Sequence, residues 1–242
     1  LIRSVCVVGP DGLRRNREYA ASLGRPGLVA APAKDESLAI VGGGQSSADH
    51  VDDLLNFDGH IMAINGAQDW LISQGRVPDC VALLDPEPQL ADLITPHKGV
   101  DYYVATMCAP EVFDLLADSN VTTFYAPQGE DNTPPLSVPG GPTMMTRAPM
   151  LAAILGYRGI TLYGADSSYS GGITHAYSNV RDYDEMGVIC EGKGWDTCLG
   201  LVCQAEYLAE LIPAMGCVKT RLVGEHLAQS MLRTGGVWER MP

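Results

Sequence analysis

Short apolar runs of four or five residues alternate with stretches of helical periodicity along most of the chain. The clearest run is Leu38-Ala39-Ile40-Val41, followed at once by Gly42-Gly43-Gly44. Runs over 61–64, 81–84, 102–105, 121–125, 160–163 and 217–222 repeat the pattern and are expected as strands. Between them, helices are expected over 47–56, around 69–72, and over 111–116, 143–156, 195–214 and 225–233. Buried strands separated by helices imply parallel pairing, because the connection must cross over the sheet. The pattern therefore predicts an α/β fold: a mostly parallel sheet with helices on both faces. Residues 1–37 read as an N-terminal extension packing on the domain, with an edge strand over 4–8 left open and helical spacing over 12–23. Residues 38–242 read as one domain. Two segments break the rhythm: 126–142, rich in proline and glycine, and 167–193, polar and glycine-rich, expected as a lid.

Composition narrows the classes of partner. The 242 residues, 46% of them apolar, suffice for one large domain with a full core. A net charge of −13 argues against sequence-independent binding to nucleic acid, which needs a basic face. No apolar run approaches the roughly 18 residues of a membrane span. Arg3, Asp11, Arg14, Arg15 and Arg17 interrupt the N-terminus, so no signal peptide is expected there. The seven cysteines form no Cys-x-x-Cys pair, and several sit in apolar stretches. That usage points to a reducing, cytoplasmic setting. Room is left for a homo-oligomer.

The chemistry is expected where strands end. Gly42, Gly43, Gly44, Gln45, Ser46 and Ser47 join a buried strand to a helix. Glycines let a backbone approach a ligand closely, and a helix start offers unpaired N–H groups. Ser46 or Ser47 is placed to cap that helix or to donate to a phosphate; a plain structural turn is the alternative. Asn65 closes the second strand and Asp85 the third, so three strands deliver polar residues toward one rim. Each also has a bland reading, Asn65 as a left-handed turn residue and Asp85 as a cap. Thr143 opens the helix after the first irregular segment. Arg147 in that helix faces either an anionic ligand or solvent, and Met144, Met145 and Met150 read as core. His175, beside Tyr169 and Tyr177 in the polar segment, is a candidate general base, with Asp166 and Tyr169 as partners.

Leu38-Ala-Ile-Val-Gly-Gly-Gly-Gln-Ser-Ser47, Ala63-Ile-Asn-Gly-Ala67, Gly75-Arg-Val-Pro-Asp79 and Leu83-Leu-Asp-Pro86 occur in an order that resembles a known family. Cys108-Ala-Pro-Glu-Val-Phe113, Gly164-Ala-Asp-Ser-Ser-Tyr169 and His175-Ala-Tyr177 continue it. The resemblance is to bacterial and phage proteins related to archaeal 6-hydroxymethylpterin pyrophosphokinase. A more distant similarity links Gly140-Gly-Pro-Thr-Met-Met145 through Tyr163-Gly-Ala-Asp166 to bacterial sialyltransferases that use CMP-activated sugars. Those enzymes open on Gly-x-Gly-Pro-Ser, whereas here Gln45 stands in place of proline and Ser47 in place of leucine, which alters the loop's shape.

The resemblance implies a Rossmann-like, nucleotide-binding domain over residues 38–242, with a small-molecule nucleotide ligand and an unidentified acceptor, and leaves three functions open. The first is a glycosyltransferase using a CMP-type donor, with the glycine turn on the phosphate, Asn65 on base or ribose, and Asp166, Tyr169 or His175 at the acceptor. The second is a pyrophosphokinase acting on a pterin-like alcohol, which needs Mg²⁺ on Asp85, with Glu87 and Asp166 as further oxygen donors. The third is a nucleotide-binding module without catalysis. No cofactor is implied outside the second reading.

Overall fold

The computed structural model describes residues 8–128, 134, 136–169, 175–176 and 185–241. In chain order, α1 (Pro10–Ser22) precedes β1 (Ser37–Val41), the short α2 (Ser46–Asp49) and α3 (Val51–Leu55), and β2 (His60–Ile64). Then come α4 (Ala67–Ser73), β3 (Cys80–Leu83), a 3₁₀ helix over Pro88–Leu93, β4 (Asp101–Ala105), α5 (Pro110–Leu115) and β5 (Asn120–Phe124). The second half holds α6 (Met144–Ile154), β6 (Gly159–Tyr163), β7 (Glu185–Cys190) and β8 (Lys193–Cys198). It ends with α7 (Leu199–Ala214), β9 (Lys219–Leu222), α8 (Leu227–Thr234) and β10 (Glu239–Arg240).

Seven strands form one sheet in the order β5-β4-β3-β2-β1-β6-β9, and every neighbouring pair is parallel. Leu38, Ala39, Ile40 and Val41 are all fully buried. Successive strand side chains point to opposite faces, so this unbroken apolar run means that both faces are covered by helices. The chain builds outward from β1 to β5, then returns through α6 to place β6 on the other side of β1. That reversal opens a crevice at the carboxyl ends of β1 and β6, where parallel α/β sheets take their ligands.

The segment before β1 lies along the sheet. Leu28 N–H donates to Thr123 O at 2.8 Å, and Thr123 N–H to Pro26 O at 2.8 Å, so residues 26–28 pair with β5, the outermost strand of the sheet. The Asn16 amide on α1 donates to Pro86 O (3.1 Å) and Met107 O (2.9 Å), anchoring that helix on the turns that follow β3 and β4. The expected edge strand over 4–8 falls outside the described residues except for Val8, which sits in a turn.

Three expectations need correction. The helix expected over 47–56 is two short helices, because His50 leaves helical values (φ −118°, ψ 30°) between α2 and α3. The helix expected to start at 195 starts at Leu199, since residues 193–198 form β8. In that strand Trp195 and Thr197 are buried while Gly194 and Asp196 are exposed, a two-residue period that excludes a helix. β8 pairs antiparallel with β7 through a two-residue turn at Glu191 (φ +52°) and Gly192 (φ +73°). Two successive positive-φ residues give the turn twist that suits a tight hairpin. The polar segment expected as a lid over 167–193 therefore ends in a hairpin, which β10 joins to make a second, three-stranded sheet. Gly171, Gly172 and Tyr177 of that segment lie outside the described residues.

Cys80, Cys108, Cys190, Cys198 and Cys203 are buried and Cys217 is exposed, all as free thiols. Burial pushes the Cys80 and Cys108 thiols up to about 12. Those two groups are core hydrophobes and not nucleophiles. Among the described residues, no helix is long and apolar enough to cross a membrane.

Candidate functional site

The turn after β1 prolongs the pairing of β1 with β6. Gly42 N–H donates to Tyr163 O (2.8 Å) and Gly44 N–H to Gly164 O (3.1 Å). A β-carbon at Gly44 would stand 2.7 Å from the Asp166 carboxylate and 2.7 Å from Gly164 O. Glycine is needed there because the two strand ends touch. Gly43 O accepts from Ala176 N–H (2.8 Å), which lays the His175 segment over the turn.

Ser46 and Ser47 turn inward, and neither caps α2. Both are fully buried. The Ser47 hydroxyl donates to Gly42 O at 3.0 Å. The Ser46 hydroxyl donates to the Asp166 carboxylate and accepts from Gly164 N–H at 2.9 Å. The N-cap position belongs to Gln45, whose side chain turns outward to Asp49 (3.2 Å). What the turn presents is backbone: among the described residues, the N–H groups of Gly43 and Gln45 have no hydrogen-bond partner.

Asp166 is held on both oxygens. Oδ1 accepts from the Ser46 hydroxyl, and Oδ2 accepts from Ser46 N–H at 2.9 Å. His226 Nε2 stands 3.7 Å from Oδ2. Burial raises the Asp166 carboxyl above its ordinary range, while His226 and the two Ser46 bonds act in the opposite sense. Asp166 thus clamps the turn after β1 to the turn after β6 while it also lines the cleft. Tyr169 follows three residues on. It is buried, its N–H donates to Asp196 O (2.7 Å) on β8, and it is not among the residues lining the cleft.

Asn65 takes the left-handed conformation (φ +46°), and its amide is spent on β3: Oδ1 accepts from Leu84 N–H at 3.0 Å and Nδ2 donates to Leu84 O at 3.4 Å. It lines the cleft while fastening two strand ends. Asp85 likewise lines the cleft and accepts from Glu87 N–H (3.1 Å), as a turn cap does. Thr143 is the N-cap of α6 in a reciprocal capping box with Thr146. Its hydroxyl also donates to the Gln204 side chain at 2.7 Å, and Gln204 donates to the Ser167 hydroxyl at 3.0 Å. Arg147 faces neither ligand nor solvent: it is 2% exposed and donates to Val138 O (2.8 Å) and Pro127 O (2.7 Å), fastening the irregular segment. Met144 and Met145 are buried, as their core reading requires, and also line the cleft.

These groups surround a cleft of about 210 Å³. Its lining is mixed, polar and glycine-rich at Gly42, Gly43, Gly44, Asn65, Asp85, Thr143, Ser167, Ser168 and His175, and apolar at Ile64, Leu90, Leu93, Met144, Met145 and Leu201. Such a cleft suits a ligand that combines an apolar ring with hydroxyl or phosphate oxygens. Gln204, Ser167, Ser168 and His226 escape a reading by strand ends, since they reach the site from α7, from the turn after β6 and from the start of α8. Gln204 carries one usable signal, a polar side chain on the otherwise apolar first half of α7.

No known protein-family model matches the chain, and no curated protein sequence matches it. Its fold is similar to that of the MAf glycosyltransferase from Magnetospirillum magneticum AMB-1, with a TM-score of 0.69 at 15% sequence identity. The likeness covers 97% of this chain and 42% of that one, so the chain spans less than half the length of that structure. At this identity the likeness establishes a shared Rossmann-like α/β fold.

Proposed function

We propose that this protein is a glycosyltransferase-type transferase that binds a CMP-type activated sugar in the cleft between β1 and β6. The observation that carries the proposal is the convergence, at the sheet's reversal point, of the glycine turn, with its Gly43 N–H, and apolar side chains lining the same cleft. A nucleotide has a matching combination of planar base, hydroxylated ribose and phosphate. Among the described lining residues there is no lysine or arginine side chain. Phosphate charge would then be met by backbone dipoles, which suits a single phosphodiester better than a triphosphate. The fold shared with MAf glycosyltransferase supports the same reading.

On this reading the apolar lining receives the base, and Thr143 and Ser168 offer hydroxyls to the sugars. His175 removes the proton of the acceptor hydroxyl as that oxygen bonds to the sugar's anomeric carbon and CMP departs. Thermal stabilisation by a nucleotide panel tests the proposal. Selective stabilisation by CMP and a CMP-sugar is expected. Stabilisation by ATP with Mg²⁺, abolished in Asp85→Asn, would replace it with the pyrophosphokinase reading. A silent panel would leave a module that does not bind nucleotides.

A further inference from the structure

We infer that His226 is a positioning residue of the cleft, acting through Asp166 on the turn over residues 42–46. The inference rests on the proposal that this turn meets the ligand, but its link to Asp166 can be tested without one. His226 does not line the cleft, whereas Asp166 does. The His226 side chain is 15% exposed and that of Asp166 is 1% exposed, so the imidazole is the carboxylate's side toward solvent. A carboxyl group buried to that degree needs polar partners to stay in place. The hydrogen bonds come from Ser46 N–H and Oγ–H, and the imidazole stands 3.7 Å away on Oδ2.

The packing leaves this group little freedom. A β-carbon at Gly224 would lie 2.7 Å from His226 Cδ2 and 2.9 Å from Ser46 Cβ, so imidazole and serine are pressed against one glycine. Gly224 also has a φ of +91°, a conformation that other residues resist. The start of α8 is fixed on the same segment: Ala228 N–H donates to Asp166 O at 3.1 Å, and Leu227 N–H to the Ser168 hydroxyl at 3.4 Å. His226 is thereby held in register with Asp166 by its own helix. Withdrawing the imidazole leaves the carboxylate under-compensated. Asp166 then loosens its hold on Ser46, and the Gly43 and Gln45 donors lose their aim.

Residue-resolved amide exchange tests this. Ser46 N–H and Gly44 N–H are both hydrogen-bonded across the β1–β6 crevice, so their exchange reports the turn's local opening. In His226→Gln we expect both amides to exchange about tenfold faster, while amides of β2 and β3 keep their protection. Asp166→Asn should give the same local effect, and the double variant little more. His226→Asn, which removes the imidazole and supplies a favoured N-cap residue at the start of α8, is the second variant should His226→Gln fold poorly. Turn amides unchanged in both variants, or exchange raised equally across the sheet in both, would overturn the inference. CMP is the ligand probe, and its affinity should fall by about tenfold in His226→Gln at a temperature where the protein is folded. A wild type that ignores CMP would remove the functional reading and leave the exchange result to decide the positioning role.

Discussion

Ser46 and Asp166 lie 120 positions apart in the chain and meet twice, the serine donating both its backbone N–H and its hydroxyl to one buried carboxylate. The same hydroxyl accepts from Gly164 N–H, so a single serine joins the turn after β1 to the turn after β6. The crevice of a parallel sheet is usually an opening between two diverging connections. Here this contact ties the two connections together and fixes the glycine turn relative to the turn after β6.

Gly44 should tolerate no side chain. Gly44→Ala would place a methyl group 2.7 Å from both the Asp166 carboxylate and a backbone carbonyl. Neither neighbour is the loose end of a flexible side chain, so we expect a loss of about 1–3 kcal/mol in urea denaturation. Gly200, on the exposed start of α7, has no atom within 4 Å of an added β-carbon. Gly200→Ala should be neutral or stabilise by up to about 1 kcal/mol.

Thr143 should matter twice. Thr143→Ala removes the α6 cap, a loss of about 1 kcal/mol. It also leaves Gln204 without the hydroxyl that meets it at 2.7 Å. Thr143→Ser keeps both contacts and should restore stability. Calorimetric melting of the two variants checks this order.

Asp166 should leave a signature in the pH dependence of stability. Its folded-state carboxyl is raised, mainly by burial. A raised folded value means that the native state holds the proton more tightly than the unfolded chain. Stability attributable to Asp166 is therefore full below the ordinary carboxylate range and is lost as pH rises through the folded value. Urea titrations from acid to neutral pH should show a falling contribution in the wild type that is absent from Asp166→Asn.

Arg147→Met should separate the structural reading of this arginine from a ligand role. Its guanidinium donates to Val138 O and Pro127 O from a buried position. Hydrogen bonds from a charged group are worth about 1.5–3 kcal/mol each, so the variant should be destabilised by several kcal/mol. Any nucleotide affinity measured on the folded fraction should stay unchanged.

The large sheet is legible in the sequence because its strands are buried on both faces. Unbroken runs such as residues 38–41 have no polar interruption to confuse their reading. The hairpin of β7 and β8 is far less legible. Its alternation is short, glycines occupy Gly187 and Gly194, and Trp195 fits the apolar spacing of the helix that follows. Those glycines are filled in the fold by Met241 from the chain's far end: a β-carbon at Gly187 would stand 2.5 Å from its sulfur. The rim of the site is legible from the strand ends Gly42, Asn65 and Asp85. The roles within it are not, since Ser46 finds its partner 120 residues away and His226 arrives only when α8 docks. A serine after a glycine turn has the same local signature whether it faces a phosphate or a buried aspartate.

The central claim is that the turn after β1, and not merely some surface of the protein, receives a nucleotide. Titration with CMP followed by backbone amide NMR tests it most directly, with Gly43→Val as the control. Gly43 is absent from the residues of positive φ, so valine there blocks approach without forcing the backbone. The account predicts saturable shifts at Gly43, Gln45 and the residues after β6, all lost in folded Gly43→Val. Equal CMP affinity in Gly43→Val, or saturable shifts confined to the amino-terminal edge of the sheet, would contradict it.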